Sequence, residues 1–403
     1  MALDSIRANR LRSFLTLLGV VIGVASVILV GAGIEGLGIT AEETTSKAFG
    51  TESYLIAQIA NVGRMTPKQR AEKLRRNRQL RRDDLTYLRA STGDEVLYSP
   101  YSNRFEDVKR DDQTLEGCSI LGVSASLAEI RDVAVVDGRF FTEQEERNKA
   151  FVAVIGDDLR LAFFPGASPL SQIIRVRGFD FKIIGVQEKL GSSFGRTQDN
   201  SVYMPDTTFD KIYGPAKSMG IFARAKPGSG LSLDDALEVT RASMRIRNHL
   251  GPTKEDNFDF LTPDSIRGFV DSILGLIRLV VVPITLISLV VGGIVIMNIM
   301  LVSVTERTKE IGIRKSLGAH SIDIQFQILS ESFLISALGG FLGIFISWLI
   351  VQVVTQAFDI RMRITWPYLL LAVFVSSGVG LISGWYPARR AARMDPIEAM
   401  RAD

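Results

Sequence analysis

The chain has 403 residues, of which 46% are hydrophobic and 23% charged, and its formal net charge is +3. A charge this small does not support a nucleic-acid-binding protein. The single cysteine, Cys118, excludes an intrachain disulfide and is predicted to be a small buried residue. His249 and His320 have no cysteine or carboxylate cluster at ligand spacing, so no metal site is expected.

Four uncharged apolar stretches are each long enough to cross a membrane as a helix. They are Ser13–Ile34, Leu279–Thr305, Ser332–Phe358 and Ile364–Ala388. The first is longer than the apolar region of a typical signal peptide, and no clear small-residue cleavage site follows it. The sequence therefore predicts an α-helical membrane protein with four transmembrane helices, arranged as one plus three.

Basic residues flank these stretches unevenly. Residues 1–12, 306–331 and 389–403 together hold eleven Lys and Arg, against Arg361 and Arg363 in the short turn between the last two stretches. Basic loops remain in the cytoplasm. We therefore predict two cytoplasmic tails, a cytoplasmic loop and a large extracytoplasmic domain formed by residues 35–262, inserted between the first and second spans.

Pairs of glycines four residues apart occur in three of the stretches. The pairs are Gly19 with Gly23, Gly339 with Gly343, and Gly380 with Gly384. This spacing lets helix backbones approach closely, although glycine is also common in membrane helices in general. No ionisable residue lies deep inside a stretch, which disfavours a secondary transporter or an ion pump.

Short β patterns alternate with helical patterns between residues 35 and 262, which predicts an α+β domain, with two lobes as one possible arrangement. The predicted strands are Phe151–Ile155, Ile173–Val176, Phe181–Val186, Val202–Met204 and Gly220–Arg224. A hairpin turn is expected at residues 177–180 and a loop at Gly191–Gly195. A helix is predicted over Leu233–Leu250, capped by Ser232 or Asp234.

The segment from Arg64 to Arg82 carries nine basic residues and one acid, Glu72. One interpretation is a basic surface that binds anionic lipid headgroups, a polyanionic substrate or an acidic partner. The other interpretation is a solvated helix or a mobile loop. The sequence alone does not assign it a role.

The predicted extracytoplasmic domain leads into the second span through a helix. Thr262 is a good N-cap and Pro263 suits the first helical position. No strong helix breaker follows until Pro283, so we predict a stalk helix over residues 263–278. A stiff helix transmits displacement better than a flexible linker does.

After the second span, Thr305–Ala319 reads as a short amphipathic helix that ends at Gly318. Glu310 and Arg314 are spaced to form an ion pair, and Ile311 and Leu317 supply apolar contacts on another face. This segment is either a surface for a separate ATPase or a plain cytoplasmic connector held at the headgroups by its arginines.

Several segments strongly resemble the MacB/FtsX-type ABC transporter permeases, and the resemblance covers nearly the whole chain. They are Asn9–Gly19, Gly138–Thr142, Ile183–Val186, Gly191–Gly195, Val202–Pro205, Met297–Val304 leading into Thr305–Ala319, and Tyr386–Arg401. The resemblance implies a homodimer, or a pair with a closely related second permease, and an ABC ATPase subunit on the cytoplasmic face. It also implies mechanotransmission, in which ATP-driven motion of that subunit moves the stalk helices and outer domains.

The resemblance further implies two groups of functional residues. The ATPase-coupling group is Glu306, Arg307, Glu310, Ile311, Gly312, Arg314, Lys315, Gly318 and Ala319. A C-terminal cytoplasmic element includes Arg389, Arg390, Asp395 and Pro396.

A phosphate-binding P-loop requires a Gly-Lys pair, and no glycine in this sequence is followed by lysine. The chain is therefore not expected to hydrolyse ATP through a P-loop, and we predict that it is not an enzyme and binds no cofactor itself. Some members of the family carry their own ATPase domain; for this chain we expect ATP and Mg to be used by a separate ATPase subunit.

Three functions are compatible with this resemblance. Export of a drug, lipopeptide or similar amphiphile across the bacterial cytoplasmic (inner) membrane is favoured by the large outer domain. The alternatives are an FtsX-like regulator of extracytoplasmic cell-wall hydrolases and a lipoprotein-releasing permease. A membrane-fusion adaptor protein and an outer-membrane channel are further candidate partners, and the sequence does not identify the cargo.

Overall fold

The structure is a computed structural model that describes residues 10–50, 52–63, 65–193, 196–358 and 362–401. The chain divides into two compact units. Residues 1–40 and 271–403 form one, which we call the membrane unit, and residues 41–270 form the other, which we call the outer unit. Part of the predicted Gly191–Gly195 loop, and most of the predicted turn after the third span, lie outside the described residues.

Helices and strands alternate along the outer unit, and long helices flank it on both sides. In chain order the elements are α1 (Arg10–Phe49), β1 (Ser53–Ala57), α2 (Pro67–Arg76), α3 (Arg82–Thr92), β2 (Val96–Arg110), β3 (Gln113–Val123), α4 (Leu127–Ile130), β4 (Val135–Gly138), α5 (Glu143–Arg147), β5 (Val152–Ile155), α6 (Asp157–Phe163), β6 (Ile173–Val176), β7 (Phe179–Gln187), β8 (Ser192–Ser193), β9 (Arg196–Thr197), β10 (Ser201–Pro205), α7 (Asp206–Tyr213), β11 (Gly220–Ala225), α8 (Leu233–Arg247), β12 (Asp259–Leu261), α9 (Pro263–Glu306), α10 (Thr308–Ser316), α11 (Ser321–Phe358), α12 (Trp366–Ala392) and α13 (Pro396–Arg401).

Among the described residues, four helices are long and apolar enough to cross a membrane: α1, α9, α11 and α12. One precedes the outer unit and three follow it, so the predicted one-plus-three order is confirmed. The helices extend beyond the uncharged stretches, because flanking polar residues continue the same backbone conformation. α9, for example, begins at Pro263, where Thr262 Oγ1 accepts a hydrogen bond from the Ser265 amide at 3.2 Å.

Small residues set the distances between the membrane helices. A Cβ atom built on Gly380 would lie 2.0 Å from Ser336 Oγ, and one on Gly384 would lie 2.5 Å from Ser332 Oγ. α12 therefore packs on α11 through glycine against serine. The other two predicted glycine pairs also face neighbouring helices. Their nearest partners are Gly292 for Gly19, Leu289 for Gly23, Val20 for Gly339 and Val24 for Gly343. The close-packing interpretation of these pairs is confirmed.

The outer unit is built on one ten-stranded mixed sheet. Nine strands follow the order β12-β1-β11-β2-β3-β10-β5-β7-β4, and β6 pairs with both β2 and β7. The predicted α+β class is confirmed, and β8 and β9 pair with each other in a separate two-stranded sheet. Cys118 is fully buried in one of the apolar clusters on this sheet, as predicted, and burial raises the pKa of its thiol to about 11.

The predicted hairpin joins β6 and β7, but its turn is tighter than expected. Arg177 and Gly178 both adopt positive φ, at 51° and 86°, which is the geometry of a two-residue type I′ turn. β7 therefore begins at Phe179. α8 is capped by Ser232 rather than Asp234, and it ends at Arg247 rather than Leu250, with His249 at a φ of 52°.

The segment Gly138–Thr142 forms a compact local structure. Gly138 has a φ of 81°, and a Cβ there would lie 2.2 Å from the Ile184 carbonyl oxygen. Thr142 caps α5 in a capping box with Glu145. The Arg139 guanidinium donates to both Glu145 oxygens at 2.8 Å, and this holds the pKa of Glu145 at about 2. These contacts within the chain explain the residues at positions 138–142, so no bound ligand is needed to account for them.

Candidate functional site

The predicted coupling residues lie on both sides of a break between two helices. α9 ends at Glu306, and Arg307 is the N-cap residue of α10. The Thr305 hydroxyl donates to the Val302 carbonyl at 2.7 Å, and the Thr308 hydroxyl donates to the Thr305 carbonyl at 2.8 Å. Such side-chain bonds compete with the helical backbone. The prediction of one helix over Thr305–Ala319 is therefore wrong, and Glu306 belongs to the membrane helix.

α10 ends where the sequence predicted. Gly318 has a φ of 99°, which is costly for other residues. Its amide donates to the Lys315 carbonyl at 3.1 Å, and the Ala319 amide donates to the Arg314 carbonyl at 3.1 Å. These bonds satisfy carbonyl groups that the end of the helix would leave unpaired.

The inner face of α10 packs against α13. Ile311 and Gly312 are buried, and a Cβ on Gly312 would lie 2.7 Å from Ala399 Cβ. The Lys315 ammonium donates to the Ala392 and Met394 carbonyl oxygens at 2.8 and 2.7 Å. The structure thus brings part of the predicted coupling group onto the C-terminal element.

The other predicted residues of the C-terminal element lie at helix ends. Asp395 accepts a hydrogen bond from the Ile397 amide at 2.8 Å, and Pro396 is the first residue of α13. Proline suits this position because the first helical amide has no partner within the helix. Arg389 and Arg390 are exposed in the last turn of α12.

Two ion pairs organise the charged residues of α10. Glu310 and Arg314 are 2.5 Å apart, as their spacing predicted, and Arg314 also donates to Gln327 at 3.1 Å. Arg307 is 3.2 Å from Glu331 of α11. Sequence reasoning missed Gln327 and Glu331. The sequence offered one signal for Glu331: it is the last charged residue before the uncharged stretch Ser332–Phe358.

The outer face of this region is unexpectedly apolar. Ile313 on α10 and Leu317, the C-cap residue of α10, are 48% and 84% exposed, and Ile322 and Phe326 on α11 are 71% and 75% exposed. Each pair is four residues apart, so its members share one side of their helix. All four lie between the uncharged stretches. We call Ile313, Leu317, Ile322 and Phe326 the exposed apolar group; the sequence pattern had indicated only Leu317.

These features define a class of protein: a multi-pass membrane protein with an α+β domain between the first and the last three spans. A family model described as the MacB-like periplasmic core domain matches residues 13–237, and one described as the FtsX-like permease C-terminal matches residues 283–396. The chain belongs to this family of ABC transporter permeases. It therefore lies in the bacterial cytoplasmic (inner) membrane, and its large domain is extracytoplasmic.

Curated relatives agree along the whole chain. The macrolide export ATP-binding/permease proteins MacB of Shewanella sp. (strain W3-18-1) and Psychrobacter arcticus are both 32% identical, over 99% and 100% of this chain. The chain spans about 60% of the length of these relatives, 60% and 59% respectively. The crystal structure of the periplasmic region of MacB from Actinobacillus actinomycetemcomitans aligns with a TM-score of 0.44 at 17% identity, covering 56% of this chain and 95% of that one.

Proposed function

We propose that the chain is the permease of an ABC exporter, and that a separate cytoplasmic ABC ATPase docks on α10 and α11. The observation that carries this proposal is the exposed apolar group, which lies between the uncharged stretches. Exposed apolar groups of this kind mark protein interaction surfaces. The Glu310–Arg314 pair lies on the same short helix as Ile313, which Leu317 follows as the C-cap residue, and it supplies charge that orients a partner.

Mechanotransmission would explain why an ATPase docks on α10 and α11. α9 is one helix of 44 residues, which corresponds to a length of roughly 65 Å. Its C-terminal residue, Glu306, lies one residue before the N-cap of the short helix α10. We propose that displacement of α10 by the ATPase is carried along α9 to the extracytoplasmic side. ATP and Mg would then be used by the partner, while this chain supplies the moving helices.

A second permease copy, or a closely related chain, would complete the assembly. Only 17% of the most apolar window of α9 is buried within the chain. Its exposed residues include Leu279, Ile284, Ile287 and Val291, so the helix offers an apolar face to a neighbour in the bilayer. The curated relatives are named macrolide exporters. On that basis we propose a drug, lipopeptide or similar amphiphile as cargo, with an adaptor and an outer-membrane channel as further partners.

A charge-reversal experiment tests the docking surface. The double variant Glu310→Arg with Arg314→Glu keeps an ion pair within α10, so loss of partner binding would not reflect loss of the helix. We expect the co-purifying ATPase, and the stimulation of its activity, to be lost. The matched control is Glu143→Arg with Arg147→Glu, which reverses an exposed pair of the same spacing on α5. Retained ATPase binding in the α10 variant would contradict the proposal.

Cargo requires a separate measurement. Cells that co-express the chain and its ATPase are expected to accumulate less of a labelled macrolide, and the α10 variant should abolish the difference. Equal accumulation, with ATPase binding intact, would overturn drug export while leaving the docking surface in place.

A further inference from the structure

The outer unit contains a cavity of about 390 Å³ beside the carboxyl end of β3. Its walls come from the end of α3, the start of β2, the turn after β3 and the helix α5. β10 runs parallel to β3 and ends next to it, with Pro205 opposite Val123. The carboxyl ends of parallel strands are frequent positions for ligands, and the volume lies within the range of roughly 300–1,000 Å³ that small-molecule sites occupy.

Arg89 of α3 brings a positive charge without an acidic partner to this cavity. Its Nη2 donates to the Tyr98 carbonyl oxygen at 2.9 Å, which holds the guanidinium in place. No carboxylate of the described residues lies within 4.0 Å of its charged group. Because a guanidinium carries five N–H donors, most of them remain for another acceptor. A planar fork of this kind binds carboxylate and phosphate groups through paired hydrogen bonds.

A second guanidinium, that of Arg147 on α5, lines the same cavity. Its Nη2 donates to Glu143 at 2.6 Å, and its other donors have no hydrogen-bond partner among the described residues. The Glu143 carboxylate offsets the charge of Arg147 and leaves that of Arg89 in excess. Two guanidinium groups therefore offer free donors to one ligand, although only one of the two charges is balanced on the cavity wall.

Glu146 is the other carboxyl group on the cavity wall, and it opposes an anion only weakly. Its Oε2 accepts a hydrogen bond from the Ala125 amide at 2.7 Å. Burial and the neighbouring Asp206 carboxylate raise the pKa of Glu146 to about 7, so near neutral pH a large share of the molecules carry a proton there. The Ser124 and Ser126 hydroxyls, 2.6 Å apart, add uncharged polar groups. A cavity with convergent polar groups and a perturbed carboxyl is typical of a ligand site, and the charges on this one favour an anion.

We propose that this cavity binds a small organic anion, whose carboxylate or phosphate group accepts hydrogen bonds from Arg89 and Arg147. Val96 and Leu97 also line the cavity and supply apolar contacts for the rest of the molecule. The site lies wholly within the outer unit. It depends neither on the proposed ATPase docking surface nor on the identity of the exported cargo.

Arginine footprinting of the full chain in phosphatidylcholine nanodiscs tests this site. The reagent p-hydroxyphenylglyoxal modifies accessible guanidinium groups, and peptide mass spectrometry gives a separate rate for each arginine. The anionic probes are benzoate and phenyl phosphate, and benzamide is a neutral control with the same ring. We expect at least one anionic probe to slow the modification of Arg89 several-fold, while benzamide has no effect and the exposed Arg70 of α2 reacts at an unchanged rate. The probe with the lower half-protecting concentration identifies the anionic group.

Two charge-matched variants complete the test. Arg147→Gln should raise the half-protecting concentration about ten-fold, because a hydrogen bond to a charged group is lost. Arg104→Gln, which neutralises another exposed arginine of the outer unit, should leave that concentration unchanged. Equal thermal midpoints of the two variants would establish that both are folded.

Four outcomes would overturn the proposal. The first is that neither anionic probe protects Arg89 better than benzamide does. The second is protection by benzylammonium, which would make the cavity a cation site governed by its two glutamates. The third is an equal loss of reactivity at Arg70, which is the result expected if the added anion acts on the reagent. The fourth is an unchanged half-protecting concentration in the Arg147 variant.

Discussion

Gly312 of α10 faces Ala399 of α13 so closely that a Cβ on the glycine would lie 2.7 Å from the alanine Cβ. Ala399 is only 3% exposed, and Lys315 adds two hydrogen bonds to the chain just before α13. The proposed coupling helix and the C-terminal element therefore form one packed structure. A partner that moves α10 also moves α13.

Gly312→Ala should loosen this packing. The added methyl group meets a Cβ and backbone atoms that cannot rotate away, and such overpacking costs about 1–3 kcal/mol, partly offset by the better helix propensity of alanine. We expect trypsin to cleave after the exposed Arg393 several-fold faster than in the unmodified chain. Gly275→Ala is the control, because its Cβ would meet nothing within 4 Å. An unchanged cleavage rate in the Gly312 variant would show that α13 accommodates the methyl group.

Gly380→Ala should weaken the packing of α12 on α11. The new Cβ would lie 2.0 Å from Ser336 Oγ and 2.7 Å from Ser336 Cβ, and the expected destabilisation is about 1–3 kcal/mol. Thermal unfolding in detergent measures it as a lower midpoint. Gly378→Ala lies on the same helix with open space around its Cβ, and its midpoint should be unchanged or slightly higher. Similar midpoints for the two variants would rule out a special role for the glycine–serine contact.

The Arg307–Glu331 pair should stabilise the junction between α9, α10 and α11. The Glu331 side chain is 13% exposed and that of Arg307 is 35% exposed, so the pair is screened less than a surface ion pair. A double-mutant cycle with Arg307→Gln and Glu331→Gln should give a coupling free energy of about 1 kcal/mol. A coupling near zero would mean that the two charges act independently.

Stability of the outer unit should depend on pH through Glu146. Burial and the neighbouring Asp206 carboxylate raise the pKa of Glu146 from 4.5 to about 7, although the Ala125 amide, 2.7 Å away, and Arg89 act in the opposite direction. The folded state therefore binds more protons than the unfolded state between these pH values. The stabilisation is fully present below pH 4.5 and is lost as the pH rises through about 7.

Glu146→Gln should flatten this dependence, because the amide imitates the protonated carboxyl group. We expect the free energy of unfolding of the unmodified chain to fall by about 1–2 kcal/mol between pH 4.5 and 8, a value discounted for solvent screening. Glu145→Gln is the neighbouring control: the pKa of Glu145 is about 2, so this variant should keep the trend. An equal slope in the Glu146 variant would contradict the assignment.

Hydropathy and local chemistry predicted much of this molecule. An uncharged apolar stretch has few conformations open to it in a bilayer, and the start of α9 depends only on Thr262 and its three successors. Close helix packing at the glycine pairs was also predictable from the sequence, because small residues permit close packing against any partner. These predictions needed only neighbours in sequence.

Features that depend on distant residues were not predictable. β3 pairs in parallel with β10, with Ser119 opposite Ser201, and no local pattern encodes that register. Arg307 meets Glu331 only because α11 folds back past the start of α10. The turn at Arg177 required a positive φ at a residue other than glycine, which sequence signals do not favour.

The continuity of α9 has a consequence for engineering this chain. Each α-helical residue adds a rotation of about 100° and a rise of 1.5 Å. One residue inserted between Pro263 and Arg278 would therefore turn everything beyond it by more than a quarter of a circle. An insertion of seven residues adds nearly two full turns, so the residues beyond it would point in almost their original direction. Helical phase, more than length, limits how this segment can be shortened or extended.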